Sequence, residues 1–278
     1  MAELLKGKQL AASIREKAKK RIAKLDHPPG MAAILVGDDA ASHLYVRLKE
    51  EASKEAGIYF EKITPPAGTS TKELVAIVEA LNVRDDIHGI LVQLPLPTQD
   101  EDAVIAAIDP TKDIDGFHPH NRELRSQGEP SLFPPVALSI MRLIQASNQP
   151  LKQKTATVIA NNEVFVEPLM ALLAEQDIDA QFFSPESGAL AAKTRVSDII
   201  VIAVGRAGFI KKDMIKDGAI IIDVGTNKVG DKTVGDVDRP AREKAAFVTP
   251  VPGGVGPLTV AYLLMNVVRA YGMQKNKI

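Results

Sequence analysis

The chain has 278 residues, 45% of them hydrophobic and 25% charged, which describes an ordinary globular protein long enough for two domains or one large one. A formal net charge of -1 gives no electrostatic footprint for nucleic acid, and the absence of cysteine excludes disulfides and thiolate metal sites. The opening Met1 to Lys6 lacks the apolar core of a signal peptide and no apolar run approaches ~20 residues, so a soluble, cytoplasmic protein without a membrane partner is expected.

In chain order, the Lys-rich run from Arg15 to Lys24 reads as the solvated face of a helix. Met31 to Val36 reads as a strand, and Ser42 to Ala56 as a helix with Asp39 or Ser42 as its N-cap and Gly57 just past its end. Thr71 to Asn82 is a third helix, His88 to Val92 a strand, and Glu101 to Ile108 a further helix. Between His118 and Pro135 the periodicity breaks at Asn121, Ser126, Gly128, Pro130 and the Pro134-Pro135 pair, which marks an interdomain connection. Beyond it come a helix over Pro135 to Ala146, a strand over Ala156 to Ala160 and a helix over Val166 to Glu175. Asp198 to Val204 and Ala219 to Val224 are strands, and Leu258 to Tyr271 is the last helix. Short apolar runs alternating with longer amphipathic segments predict parallel strands joined by helices. The expected architecture is two α/β domains, residues 1–120 and 135–256, with the helix in 257–278 returning to the first domain.

Several strings bear on chemistry. Tyr45 and Lys49 stand four apart on one helix face, where Lys49 is either a proton donor or base or a snorkelling surface lysine. Gln93 follows an apolar strand and stands where open α/β sheets bind ligands, unless it only bonds its own loop. Asp113 and Asp115 sit beside Gly116, as pocket acids or as a solvated turn. His118 and His120 make a poor metal site without a third ligand, and no metal is expected. The string Thr249 to Thr259 combines Pro residues, which fix φ, with Gly residues, which let backbone approach a ligand.

Together and in this order, these strings resemble the bifunctional methylenetetrahydrofolate dehydrogenase/methenyltetrahydrofolate cyclohydrolase family. The match is carried by Ser42-x-x-Tyr45-x-x-x-Lys49, by Gly89 to Pro97, by Lys112-Asp113-Ile114-Asp115-Gly116-Phe117-His118-Pro119 and by Pro250 to Thr259, with Val204 to Ile210 and Gly218 to Asn227 as later strands of the nucleotide domain. The resemblance implies a folate-binding catalytic domain followed by a Rossmann-like domain for NADP or NAD, and a homodimer. It implies that Lys49 assists water addition to the methenyl carbon, that Tyr45 packs against the folate, that Gln93 positions the lysine and that Asp115 holds the pterin. Val92, Leu94, Pro252, Gly253 and Gly254 are further substrate-binding candidates. Ala160, Asn161, Asn162, Ser184 and Thr226 are the candidates for cofactor binding. A short-chain dehydrogenase, which also uses Tyr-x-x-x-Lys, is excluded by order, because Val36-Gly37-Asp38-Asp39 is not the Gly-rich turn it needs before its tyrosine.

The chain departs from the family pattern at the cofactor. Where the family has Gly-x-Ser-x-x-Val-Gly-x-Pro, this sequence reads Ala160 to Pro168 and keeps only the Pro, with Glu163 and Glu167 adding negative charge. After the next strand it has Ser184-Pro185-Glu186, a carboxylate that favours a ribose hydroxyl over the 2'-phosphate of NADP. The family's Pro-Cys-Thr-Pro-x-Gly appears as Leu132 to Ala137. Three readings follow: a cyclohydrolase with weak or absent dehydrogenase activity, a bifunctional enzyme using an altered loop, or a folate-binding paralogue without turnover.

Overall fold

A computed structural model describes residues 2–275. In chain order the elements are β1 (Glu3–Leu4), α1 (Gly7–Ile22), β2 (Gly30–Ile34), α2 (Ala40–Ala56), β3 (Tyr59–Ile63), α3 (Thr71–Asn82), β4 (Gly89–Val92), α4 (Glu101–Ala106) and α5 (Pro119–Ser126). They continue with α6 (Pro135–Gln145), β5 (Thr155–Ala160), α7 (Glu163–Ala174), β6 (Asp179–Phe183), α8 (Leu190–Thr194), β7 (Ile199–Ala203), β8 (Ile220–Asp223), β9 (Asn227–Val229), β10 (Lys232–Val234), α9 (Arg239–Lys244), β11 (Phe247–Val248) and α10 (Val255–Gln274). The chain forms two compact units, one running from Ala12 to Pro135 and resuming at Val260, the other made of the residues up to Ala11 and Val136–Thr259.

In the first unit β2 is flanked by β3 and β4, all parallel, with Ile34 opposite both Ile63 and Val92. Every residue of β2 is buried, because alternate side chains enter opposite layers. Met31, Ala33 and Leu35 meet Val46 and Ala52 of α2 and Leu263, Leu264 and Val267 of α10. Ala32, Ile34 and Val36 meet Leu74 and Val78 of α3 and Val104 of α4. The end of α10 thus belongs to the first unit, as expected for the last helix. Asp39 caps α2 by accepting from the Ser42 amide at 2.7 Å, and Gly57 ends it at φ 86°, a left-handed conformation that suits glycine. A capping box between Ser70 and Glu73 starts α3.

The second unit is a six-stranded parallel sheet in the order β1-β11-β8-β7-β5-β6, accompanied by the antiparallel pair β9 and β10. Ile159, Ile200, Ile202 and Ile221 form its core with Val237, Ala241 and Val248.

Three features differ from the sequence-based expectation. The segment expected as a connection contains α5, started by His118 and Pro119 and anchored by the buried side chains of Asn121 and Arg125, so its polar residues are internal partners rather than linker. The edge strands β3 and β6 escape the apolar-run signal because both are largely exposed or half-buried. The first residues, expected in the first domain, join the second unit because β1 pairs with β11.

Candidate functional site

Helix α2 and strand β4 bring Lys49 and Gln93 together. The Gln93 amide still donates to Ile34 O at 2.9 Å, so its side chain leaves the sheet at the carboxyl edge of β4. Lys49 Nζ donates to Gln93 Oε1 at 2.9 Å, and Gln93 Nε2 donates to Leu94 O at 2.8 Å. The glutamine therefore does both jobs the sequence left open: one end holds its own loop, and that bond aims the other at the lysine. Lys49 is half-buried. Burial drives its pKa below the usual lysine value, and the charge of Asp115 opposes that shift. Tyr45 lies one turn before Lys49 and is 39% exposed, leaving an aromatic surface open beside the amine.

The loop carrying Asp115 is fixed by its neighbours. Buried Lys112 donates to the carbonyls of Asn82 and Arg84, both at 2.7 Å, and so satisfies acceptors at the end of α3. Asp113 accepts from the amides of Gly116 and His118 at 3.0 and 2.8 Å and from Asn121 Nδ2 at 3.0 Å. Ile114 is fully buried, and its carbonyl accepts from Asn266 Nδ2 at 2.9 Å. Gly116 has φ 74°, and a Cβ there would lie 2.7 Å from Pro134 N and 2.8 Å from Phe133 C. These constraints aim Asp115 toward the lysine. Its pKa is raised chiefly by burial, lowered by Lys49 and raised again by Asp113. A cavity of about 10 Å³, room for about one water, is lined by Val92 and Leu94 together with Asp113, Asp115 and Phe117.

Asp113 was legible only as one of a pair of acids; the structure separates the loop-building carboxylate from the outward-acting one. His118 Nδ1 accepts from the His120 amide at 3.0 Å, so this histidine caps α5. Among the described residues no group of three or more His, Asp or Glu is placed to hold a metal ion. No described helix is long and apolar enough to cross a membrane.

Pro252, Gly253 and Gly254 lie in the second unit, where Gly7 N donates to Gly253 O at 2.9 Å. A Cβ on Gly7 would stand 1.7 Å from Gly254 O, so the start of α1 and this turn touch backbone to backbone.

The cofactor candidates lie at the carboxyl ends of β5, β6 and β8. Numbered from β5, the strand order of the unit reverses between β5 and β7, the position where open α/β sheets take ligands. Ala160 ends β5 opposite Ala203 and is 1% exposed. Asn161 Nδ2 donates to Val204 O at 3.3 Å, bridging the two strand ends. Asn162 caps α7 by accepting from the Phe165 amide at 3.0 Å, and Val166 is buried in the helix contact where the family pattern has glycine. Ser184 and Thr226 are exposed in the loops after β6 and β8.

Two buried acids that sequence reading missed build this end of the sheet. Asp236 accepts from the amides of Val204, Gly205 and Arg206 at 2.8, 3.1 and 2.8 Å. Asp223 accepts from the amides of Gly225, Asp236 and Val237, and burial pushes its pKa up to about 6 despite those bonds. The available signal was Gly225 and Gly235: a Cβ on either would stand 2.2 Å from Asp236 Cγ or 1.9 Å from Asp223 Oδ2.

Comparison with known proteins gives the family. Residues 5–115 match the tetrahydrofolate dehydrogenase/cyclohydrolase catalytic domain, and residues 134–275 match the NAD(P)-binding domain of the same family. A protein of Nitratiruptor sp. named "Bifunctional protein FolD" is 41% identical, with 98% of this chain and 99% of that protein covered. One of the same name from Halothermothrix orenii is 43% identical over 97% of this chain and 98% of its own. The crystal structure of the Campylobacter jejuni bifunctional methylenetetrahydrofolate dehydrogenase/cyclohydrolase superposes with a TM-score of 0.94 at 36% identity, covering 100% of both chains. The Trypanosoma brucei dehydrogenase-cyclohydrolase, solved with NADP and an inhibitor, gives 0.93 at 32% identity over 99% of this chain and 98% of that one. The folded pair of α/β units, the lysine–glutamine site and these matches lead to one conclusion: the chain belongs to the tetrahydrofolate dehydrogenase/cyclohydrolase family.

Proposed function

We propose that this protein is a bifunctional enzyme of one-carbon folate metabolism whose cyclohydrolase step is carried by Lys49. The observation that supports it is the bond from Lys49 Nζ to Gln93 Oε1 at 2.9 Å, in a setting where burial favours the neutral amine. The substrate, 5,10-methenyltetrahydrofolate, is a cation, and its arrival beside Lys49 lowers the amine's pKa further. Water then adds to the methenyl carbon and gives up a proton to Nζ. One carbon–nitrogen bond breaks, its electrons going to the departing nitrogen, and the product carries a formyl group on the other nitrogen. Cation plus water thus becomes neutral formyl product plus one proton. Gln93 holds Nζ in place, Asp115 accepts hydrogen bonds from the pterin, Tyr45 packs against the folate, and Val92 and Leu94 add substrate contacts.

The match across residues 134–275 and the bifunctional relatives support a dehydrogenase half that uses NADP or NAD. A nicotinamide dinucleotide supplies the hydride acceptor for such a reaction, and Asn161, Asn162, Ser184 and Thr226 beside Ala160 are the residues placed to hold it. The near-neutral charge, the lack of cysteine and the dimeric habit of the family support a cytoplasmic homodimer that acts on small molecules and not on nucleic acid.

The test is the decay of methenyltetrahydrofolate absorbance with the wild type and Lys49→Met. Loss of the base should lower the enzymatic rate by about 10²–10⁴-fold. A Lys49→Met rate equal to wild type overturns the assignment.

A further inference from the structure

We propose that the nucleotide-binding unit of this chain discriminates against the 2'-phosphate of NADP and takes a dinucleotide with a free ribose 2'-hydroxyl, with Glu186 as the residue that decides. The inference rests on the dehydrogenase half of the reading above.

The geometry is that of a sheet-end crevice. Strand order places the ligand end of the unit at the carboxyl ends of β5 and β7, with β6 beside β5. In doubly wound sheets an acidic residue shortly after the second strand accepts from the ribose 2'-hydroxyl, and a basic residue near the same point accommodates a 2'-phosphate. Here β6 ends at Phe183 and Glu186 follows in the next turn, where Ser187 N donates to Ser184 O at 3.1 Å. The cation that comes near is Arg206, in the loop after β7, and its Nη2 donates to Glu186 Oε1. A phosphate entering this corner would meet the carboxylate and would have to compete with it for the guanidinium. A hydroxyl would donate to the carboxylate and leave the ion pair in place.

Two further features act in the same direction. Asp236 accepts from the Arg206 amide at 2.8 Å, and the Arg206 guanidinium lies 5.8 Å from the Phe209 ring centroid, contacts that favour the arginine's position beside Glu186. At the neighbouring strand end Glu163 stands in the first turn of α7, where Asn162 already takes the Phe165 amide. Added phosphate charge therefore meets a carboxylate after β5 and another after β6, while the ribose hydroxyl finds an acceptor in Glu186.

The experiment titrates the full-length protein and its Glu186→Ser and Glu186→Arg variants with NADH and NADPH, following nucleotide fluorescence, with thermal melting to confirm that each variant is folded. Wild type should bind NADH at least about tenfold more tightly than NADPH. Both variants should narrow or reverse that ratio, and NADPH binding that becomes measurable only in a variant also supports the proposal. Wild-type binding of NADPH as tight as that of NADH overturns it while leaving the dehydrogenase reading intact. An unchanged ratio in both folded variants overturns the assignment to Glu186. Failure of all three proteins to bind either coenzyme overturns the proposal together with the dehydrogenase reading, and the Lys49 assay still reports on the cyclohydrolase by itself.

Discussion

Replacing Gln93 with leucine removes the acceptor that Lys49 Nζ meets at 2.9 Å while keeping most of the side chain's bulk. A hydrogen bond involving a charged group contributes about 1.5–3 kcal/mol and one between neutral groups about 0.5–1.5 kcal/mol. Gln93 therefore favours the ammonium over the amine by roughly 1–1.5 kcal/mol. Burial already lowers the pKa of Lys49 against the pull of Asp115, so losing Gln93 moves it further down. Water addition needs the neutral amine, which forms as pH rises through that pKa, so the rising limb of the pH–rate profile should shift to lower pH. The plateau should fall as well, by roughly ten- to a hundredfold, because Nζ loses the contact that fixes its position. The assay is methenyltetrahydrofolate absorbance decay across pH, with Lys49→Met subtracted as background and thermal melting as a check on the Leu94 loop. A limb that stays in place or moves to higher pH would refute the idea that Gln93 governs the protonation of Lys49.

Asp115→Asn removes the charge that opposes the lowered pKa of Lys49 and the acceptor proposed for the pterin; KM for the folate should rise about tenfold or more while the pH limb moves to lower pH, and steady-state kinetics with an unchanged KM would count against the pterin role. Gly116→Ala forces a Cβ against Pro134 N and Phe133 C at φ 74° and should destabilise the protein by about 2–3 kcal/mol in urea unfolding, whereas a neutral result would show that the loop has room to move. Asp198 is desolvated by burial, yet its bonds with Lys216 and the Thr155 amide outweigh that and depress its pKa from 3.8 to about 2. Its stabilisation is present above pH 3.8 and is lost as pH falls through about 2. With allowance for partial solvent screening, Asp198→Asn should lose about 1–2 kcal/mol near neutral pH, and the gap from wild type should narrow on acidification; a gap independent of pH would refute the linkage.

Much of the fold follows from the sequence because burial on both faces leaves a local imprint. Strands β2, β4 and β7 are short uninterrupted apolar runs, β5 and β8 are largely apolar, and helices such as α3 carry their caps in the chain, as with Ser70 and Glu73. The short strands β1, β9, β10 and β11 were missed, and so were β3 and β6, which lie at sheet edges where their side chains are largely exposed or half-buried and the apolar signal thins. Family membership was legible because its motifs stand in order along nearly the whole chain. Tertiary structure alone decided what the polar residues do. Asp113 and Asp115 are identical in type and two positions apart, yet one is consumed by three donors within its loop and the other acts on Lys49 from α2. Glu186 and Arg206 are separated by twenty positions in the chain and become an ion pair only because β5, β6 and β7 end side by side. Local periodicity records which side chains leave water. It does not record which charges from distant segments meet, as Asp115 does with the half-buried lysine and Glu186 with Arg206.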